Sequence, residues 1–398
     1  MKLKRNTLWI VSGSLAFLIG LWLFLVRDSN DFEFEGKRLS VWFVQLRDAR
    51  TTGQAEIAKD AFRKAGATAV PFLVDQLRSR ESRWKKKYTD FYFARSQRLP
   101  GWVQTRLPVP SPDRTAANRW AAANTLGLLG DSAKPAVADL GRALIDDSQF
   151  VASQVADVLR RLGPVAHDAL PMALTALCAT NQLVGDSAAR VISSIARDAP
   201  DVRPQLLKLL GKEDEVKVRV LRVLSALGSV TASDQRRIET LLASTNTYVR
   251  FAVVMTLWDI VPSRQIELQP RFEEFITGND KQMRESAADR LVRMQPLTTK
   301  GAELIGSVIQ DGSDNFCWTA FSTMAKRGRE VTNAIPVMVM GLTAANPRVA
   351  AKAAEALGNV AGPDKEVLDA LKQAQHHEEF MVRDAANAAI QKIQSRLD

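Results

Sequence analysis

The chain has 398 residues, 46% hydrophobic and 25% charged, a balance that excludes both a disordered polypeptide and a polytopic membrane protein. Two cysteines and three histidines are too few for a disulfide framework or a Cys/His zinc module. The formal charge of +10 suggests nucleic acid, but it is local: residues 1–27 sum to +4, residues 78–119 to +8 and the remainder to −2.

The first element in the chain is apolar. Residues 8–26, LWIVSGSLAFLIGLWLFLV, carry no charge over nineteen positions, with Ser12 and Ser14 the only polar side chains. As a helix they reach about 28 Å, close to the hydrocarbon thickness of a bilayer. Lys2, Lys4 and Arg5 precede the run, so the positive-inside rule puts a basic tail at 1–7 in the cytoplasm and everything after residue 27 outside it. A cleaved signal peptide is the competing reading. Its apolar region is ordinarily about 7–15 residues and ends in small side chains, whereas this run ends Leu-Phe-Leu-Val-Arg and no cysteine follows for a lipid anchor. The expectation is a single-pass transmembrane helix in the cell (inner) membrane, a juxtamembrane segment at 27–53 and an extracytoplasmic, periplasmic domain at 54–398.

From residue 54 the sequence is periodic. Gly66, Gly130, Gly163, Ala196, Gly228, Val261, Gln295, Gly328, Ala361 and Gln394 mark successive copies, 32 to 34 residues apart from Gly130 onward. Eight residues before the marks stand Ala122, Val155, Ala188, Val220, Val253, Ala287, Ala320, Ala353 and Ala386. Four before them stand Leu126, Leu159, Ile192, Leu224, Leu257, Leu291, Met324, Leu357 and Ile390. Offsets of four and eight share one helical face, so these side chains predict the buried stripe. Ser148, Asn181, Asn246, Asp280, Ser313 and Asn346 stand where an N-cap belongs, and Pro347 at a first helical position. Pro71, Pro135, Pro171, Pro204 and Pro336 open a second apolar helix after each turn. A helix pair of this kind cannot bury its apolar faces alone and must stack on its neighbours. The predicted fold is an all-α α-solenoid of about ten helix pairs with a period near 33 residues, behind the transmembrane helix.

RWAAANTLGLLGDSAKPAV at 119–137, VRFAVVMTLWDIV at 249–261 and VRDAANAAIQKI at 382–393 carry a recurrent pattern, Val-Arg-x-x-Ala-Ala-x-x-Leu-x-x-Leu-Gly. This resembles the HEAT repeat, in particular the short bacterial HEAT-like (PBS-lyase-type) kind, over roughly residues 54–398. The resemblance implies that the second helix of each pair lines a concave face. Its outward positions fall ten, six and three residues before each mark, and in the central copy these are Phe251, Met255 and Trp258, where neighbouring copies have Asp186, Arg190 and Ser193, or Glu285 and Asp289. Trp120 and Trp318 hold the first of those positions elsewhere. An apolar strip of this kind is either a partner contact or core buried between repeats.

One copy is irregular. Between about 80 and 117 the sequence ESRWKKKYTDFYFARSQRLPGWVQTRLPVPSPDR replaces an ordinary pair. Trp84, Tyr88 and Phe91 predict a helix to about Arg98, ended by Leu99-Pro100, and Pro108, Pro110 and Pro112 enforce an extended connection. Trp84, Lys85, Lys86, Lys87, Tyr88 and Trp102 interleave bases with aromatics. That combination suits anionic lipid or a protein partner, or, less well outside the cytoplasm, single-stranded nucleic acid. The competing reading is a structural helix that packs its aromatics on adjacent repeats and leaves its lysines in water.

The remaining candidates for chemistry are sparse. HEAT-like deoxyhypusine hydroxylases hold a di-iron centre with several His-Glu pairs, whereas this chain has one, in His376-His377-Glu378-Glu379. HEAT-like bilin lyases share only the repeat, and HEAT-like alkylpurine DNA glycosylases have a basic concave face, which the array beyond residue 119 lacks. His167 has no nucleophile partner at a readable spacing; Cys178 and Cys317 read as small apolar fillers. No catalytic residue, cofactor or metal is expected. The sequence points to a non-enzymatic scaffold or adaptor that binds a protein or peptide and touches the membrane through its N-terminal helix. The alternatives are a HEAT-like lyase- or hydroxylase-type enzyme or maturation factor, or a lipid or nucleic-acid binder working through residues 83–106.

Overall fold

The computed structural model describes residues 30–396 except 50, 81–82, 96–99, 101–113, 198, 200 and 229. The apolar segment 8–26 and Trp102 lie outside the described residues. Among those described, no helix is long and apolar enough to cross a membrane. The chain divides between Leu227 and Gly228 into two compact units.

The first unit opens with a small antiparallel ribbon, so the fold is not purely helical: β1 (Glu33–Phe34) pairs with β2 (Lys37–Arg38). Glu35 and Gly36 both take positive φ, 47° and 77°, as a two-residue turn of the hairpin type requires. Helix α1 (Leu39–Arg47) follows at once and buries Leu39, Trp42 and Phe43. Its Trp42 indole donates to the Phe34 carbonyl at 2.9 Å, and Phe43 meets Phe72 edge-on at 5.7 Å. Much of the stretch between the apolar segment and the repeats is thus itself folded onto them.

The repeats of this unit are α2 (Thr52–Ala65) with α3 (Val70–Leu77), α5 (Thr115–Leu128) with α6 (Val137–Ala143), α7 (Gln149–Leu162) with α8 (Leu170–Leu177), α9 (Gln182–Ile195) with α10 (Val202–Leu209), and α11 (Asp214–Leu227). Helix α4 (Arg83–Arg95) is the insertion between α3 and α5. The long helices α5, α7, α9 and α11 are each 14 residues and pack side by side in that order.

The second unit comprises α12 (Ala232–Glu239), α13 (Thr247–Ile260) with α14 (Gln265–Ile276), α15 (Lys281–Val292) with α16 (Thr299–Ile309), α17 (Asp314–Arg327) with α18 (Ile335–Gly341), α19 (Pro347–Val360) with α20 (Lys365–Ala374), and α21 (Phe380–Gln394). Here too the long helices stack in sequence: α17 packs on α15, α19 on α17 and α21 on α19.

The expected stripe is the core of both units. No residue at the four-before and eight-before positions named above exceeds 8% exposure. Each leucine or isoleucine so buried is worth about 1.5–3 kcal/mol relative to water. The caps follow as well: Asn181, Asn246, Asp280, Ser313 and Asn346 each accept a backbone N–H of the first turn. Ser148 is the exception. Its side chain makes no cap bond, and its N–H instead donates to Asp146 Oδ1 at 2.9 Å. At Gly130, Gly163 and Gly328 a left-handed residue (φ 55°, 57° and 59°) follows the helix and a seven-residue 3-10 turn leads to the second helix, whereas the turn from Gly66 has four residues. At Ala196 and Ala361 φ is negative (−99° and −74°), and after Ala361 that turn is missing.

Candidate functional site

In the first unit the outward row begins at Trp120, 41% exposed on α5. Beside it Asn124 accepts from Gln154 at 3.2 Å. Farther along, Asp157 pairs with Arg160 at 3.5 Å, and Asp186 lies 3.5 Å from Arg219 and 3.6 Å from Arg222. Arg160, Arg190 and Arg222 are all exposed. The row is therefore one tryptophan at the head of a polar ladder whose acids and bases largely neutralise each other.

In the second unit the central strip divides. Trp258 is 2% exposed, not a surface residue: its ring stands edge-on to Phe272 at 4.8 Å. Phe251 and Met255 are half-buried, and Phe251 meets Phe275 at 5.1 Å. Of the two readings of the strip, core holds at Trp258 and its assignment as a partner contact is corrected there, because α14 carries Phe272 and Phe275 on the side that faces α13. Trp318, by contrast, is 44% exposed, with Lys352 Nζ 5.4 Å from its ring and Lys352 held to Glu355 at 2.5 Å. Trp258, Asp259, Gln265, Asp289, Arg290 and Arg293 line an open cleft of about 400 Å³. Its charges are matched: Arg290 pairs with Asp259 and Arg293 with Asp289, each at 3.1 Å. The Asp289 carboxylate raises the Arg293 guanidinium further above its ordinary value, so this cleft offers no free acid or base.

Helix α4 is described to Arg95, and its expected end near Arg98 lies outside the described residues. Trp84 is 81% exposed, with Lys87 Nζ 5.7 Å from its ring; it does not pack on a repeat. Tyr88 is half-buried and its ring lies 6.2 Å from that of Tyr92. The side chains of Lys85 and Lys86 fall outside the described residues.

A set of arginines that the sequence reading passed over does structural work. Arg119, Arg250, Arg284 and Arg383 stand eleven residues before their marks, at the Arg of the Val-Arg pattern. Arg250 donates to the Ser244 and Thr245 carbonyls at 2.8 and 3.1 Å, and Arg383 to those of His377 and Glu378 at 2.8 and 2.6 Å. Each thus satisfies carbonyls of the connection leading into its own helix. Arg119, 2% exposed, grips Asp146 at 2.8 Å, Asp147 at 2.6 Å and the Ser79 carbonyl at 3.2 Å. Burial acts to raise the Asp146 carboxyl, but bonds from Arg119 and the Ser148 N–H outweigh it and leave that carboxyl below its ordinary range. The recurrence of Val-Arg was the available signal.

The residues weighed for catalysis remain apart. His376 is exposed, and His377 accepts the Glu379 N–H on Nδ1 at 3.0 Å. His167 lies exposed beside Asp168. Among the described residues no three His, Cys, Asp or Glu side chains are grouped to hold a metal ion. Cys178 and Cys317 are both free thiols, the first half-buried and the second buried.

No protein-family model matches the chain, and no curated relative matches it. Among solved structures, an engineered protein aligns over 88% of this chain and 98% of its own at 19% identity and a TM-score of 0.39. Human deoxyhypusine hydroxylase aligns over 66% of this chain and 97% of its own at 20% identity and a TM-score of 0.31. A structure of Kap95p with RanGDP aligns over 90% of this chain and 55% of its own at 14% identity and a TM-score of 0.46.

Proposed function

We propose that this protein is a non-enzymatic scaffold of HEAT-like repeats, held at the cell membrane by residues 8–26, that binds a protein or peptide segment along the outward row of its long helices. The observation that carries the reading is the pair Trp120 and Trp318. They occupy the same repeat position and are 41% and 44% exposed, whereas Trp42 and Trp258 are buried at 5% and 2%. An indole left in water on a regular helical surface suits an apolar side chain of a partner. The polar ladder beside Trp120 offers donors and acceptors to a partner's backbone and charged groups. Among the described residues of the row, none supplies an activated nucleophile or an unpaired buried acid, which favours binding over chemistry.

The test is capture from membranes. Tagged full-length protein is cross-linked in membranes, purified and read by mass spectrometry beside Trp120→Asp and Trp318→Asp. The expected result is one dominant protein partner held by the wild type and lost from at least one variant, with unchanged circular dichroism. Equal capture by all three would sink the assignment of this face.

A further inference from the structure

We propose that α4 lies along the anionic headgroup surface of the membrane, with Trp84, Lys87, Phe91 and Arg95 seated among the headgroups; the inference rests on residues 8–26 spanning that membrane.

The four residues fall at steps of three, four and four, which keeps them on one side of a helix. Trp84 and Phe91 are 81% and 41% exposed, and Lys87 and Arg95 are exposed with them. Tyr88, Thr89 and Tyr92, on the adjoining side, are half-buried. The acid of this helix, Asp90, is exposed as well, three residues from Lys87 at the edge of the stripe. The exposed side therefore carries two aromatics and two cations against one carboxylate at its edge.

The chain's own tether argues for lipid as the occupant. Asn30 Nδ2 donates to Asp75 Oδ2 at 2.7 Å, Asp31 Oδ1 accepts the Ser40 N–H at 2.8 Å and the Phe32 carbonyl accepts the Leu39 N–H at 3.1 Å. The entry to the first unit is thus pinned to α3. Three residues lie between Asn30 and the apolar run, a contour of at most about 14 Å over four steps. Seven residues lie between Asp75 and the start of α4, at most about 29 Å over eight steps. A bilayer spanned by residues 8–26 therefore has its headgroup layer within about 43 Å of chain, plus the Asn30–Asp75 side-chain bond, of the start of this helix. Indole rings favour that layer, and each nearby cation adds attraction to anionic lipid. Lys87 above the Trp84 ring, 5.7 Å from its centre, presents both features together. A polynucleotide would need a basic track continuing beyond the helix, whereas the chain outside residues 1–27 and 78–119 nets −2.

The test uses full-length protein reconstituted into phosphatidylcholine vesicles with or without roughly a third phosphatidylglycerol. A photo-reactive phenylalanine analogue replaces Trp84 or Phe91, with Phe150, 81% exposed on α7, as the comparison site. Lipid adducts are expected at 84 and 91 in the anionic vesicles, with none at 150. Lys87→Glu with Arg95→Glu should lower their yield by about fivefold or more, and raising salt from about 0.1 M to about 1 M should do likewise. Protein that resists alkaline extraction yet gives no lipid adduct at 84 and 91 overturns the inference while the anchor stands. Release by alkaline extraction overturns both. Adducts to co-purified RNA in place of lipid would assign the stripe to nucleic acid and also overturn it.

Discussion

The guanidinium of Arg219 occupies the space above Gly185. In α9, Gly185 stands eleven residues before its mark, where Arg119, Arg250, Arg284 and Arg383 stand in other copies. Arg219 reaches across from α11 and donates to the Leu177 and Ala179 carbonyls, at 3.1 and 2.9 Å, in the connection that leads into α9. A neighbouring helix thus supplies the function that the copy's own arginine performs elsewhere, and a Cβ at Gly185 would collide with that guanidinium.

A double-mutant cycle follows from this pair. Arg219→Ala leaves buried carbonyls unpaired and should cost about 1–3 kcal/mol. Gly185→Ala should cost a similar amount by displacing the guanidinium. Once Arg219 is alanine, Gly185→Ala should become neutral or stabilising by up to about 1 kcal/mol, because only helix propensity then remains. Urea midpoints of the four proteins decide it; additive losses would mean that the two residues do not share this space.

The Arg119–Asp146 pair predicts acid sensitivity. Asp146, whose side chain is fully buried, has its carboxyl held below the ordinary value in the folded state. Its contribution is therefore fully present above the unfolded-state value of about 3.9 and is lost as pH falls through the lower folded value. Asp146→Ala should destabilise by about 1–3 kcal/mol at neutral pH, since it removes the buried partner of Arg119 and leaves that arginine with Asp147 and the Ser79 carbonyl. It should also flatten the fall in urea midpoint below about pH 4. An unchanged acid limb in the variant would contradict this assignment.

Tryptophans in the same row should separate by burial. Trp258→Ala, which removes the ring packed on Phe272, should cost about 3–5 kcal/mol. Trp120→Ala, at an exposed position, should fall within about 1 kcal/mol of wild type while weakening partner capture. Thermal melting with parallel cross-linking measures both.

Both thiols should be slow to alkylate in the native protein. Burial raises the Cys317 thiol to about 11 and also moves the half-buried Cys178 upward. At pH 8 roughly one Cys317 in a thousand is thiolate, so its labelling should require unfolding. Stoichiometric labelling of Cys317 within minutes under native conditions would contradict its burial.

The period, the buried stripe, five of six caps and the glycine marks were all legible in the linear sequence. Each depends on contacts within one helix or on a repeat of one spacing, and residues such as Leu159 or Asn181 announce those roles locally. The exposure of Trp120 and Trp318 against the burial of Trp258 was not legible, although all lie on the outward row. Phe272 on a different helix decides it, and no offset within α13 reports what that helix brings. The arginines divide in the same way. Their recurrence is a sequence fact, but that Arg219 stands in for the residue missing at Gly185 depends on two helices packed side by side. Helical periodicity is local and survives in one dimension, whereas the occupant of a given volume is settled only when separate segments compete for it.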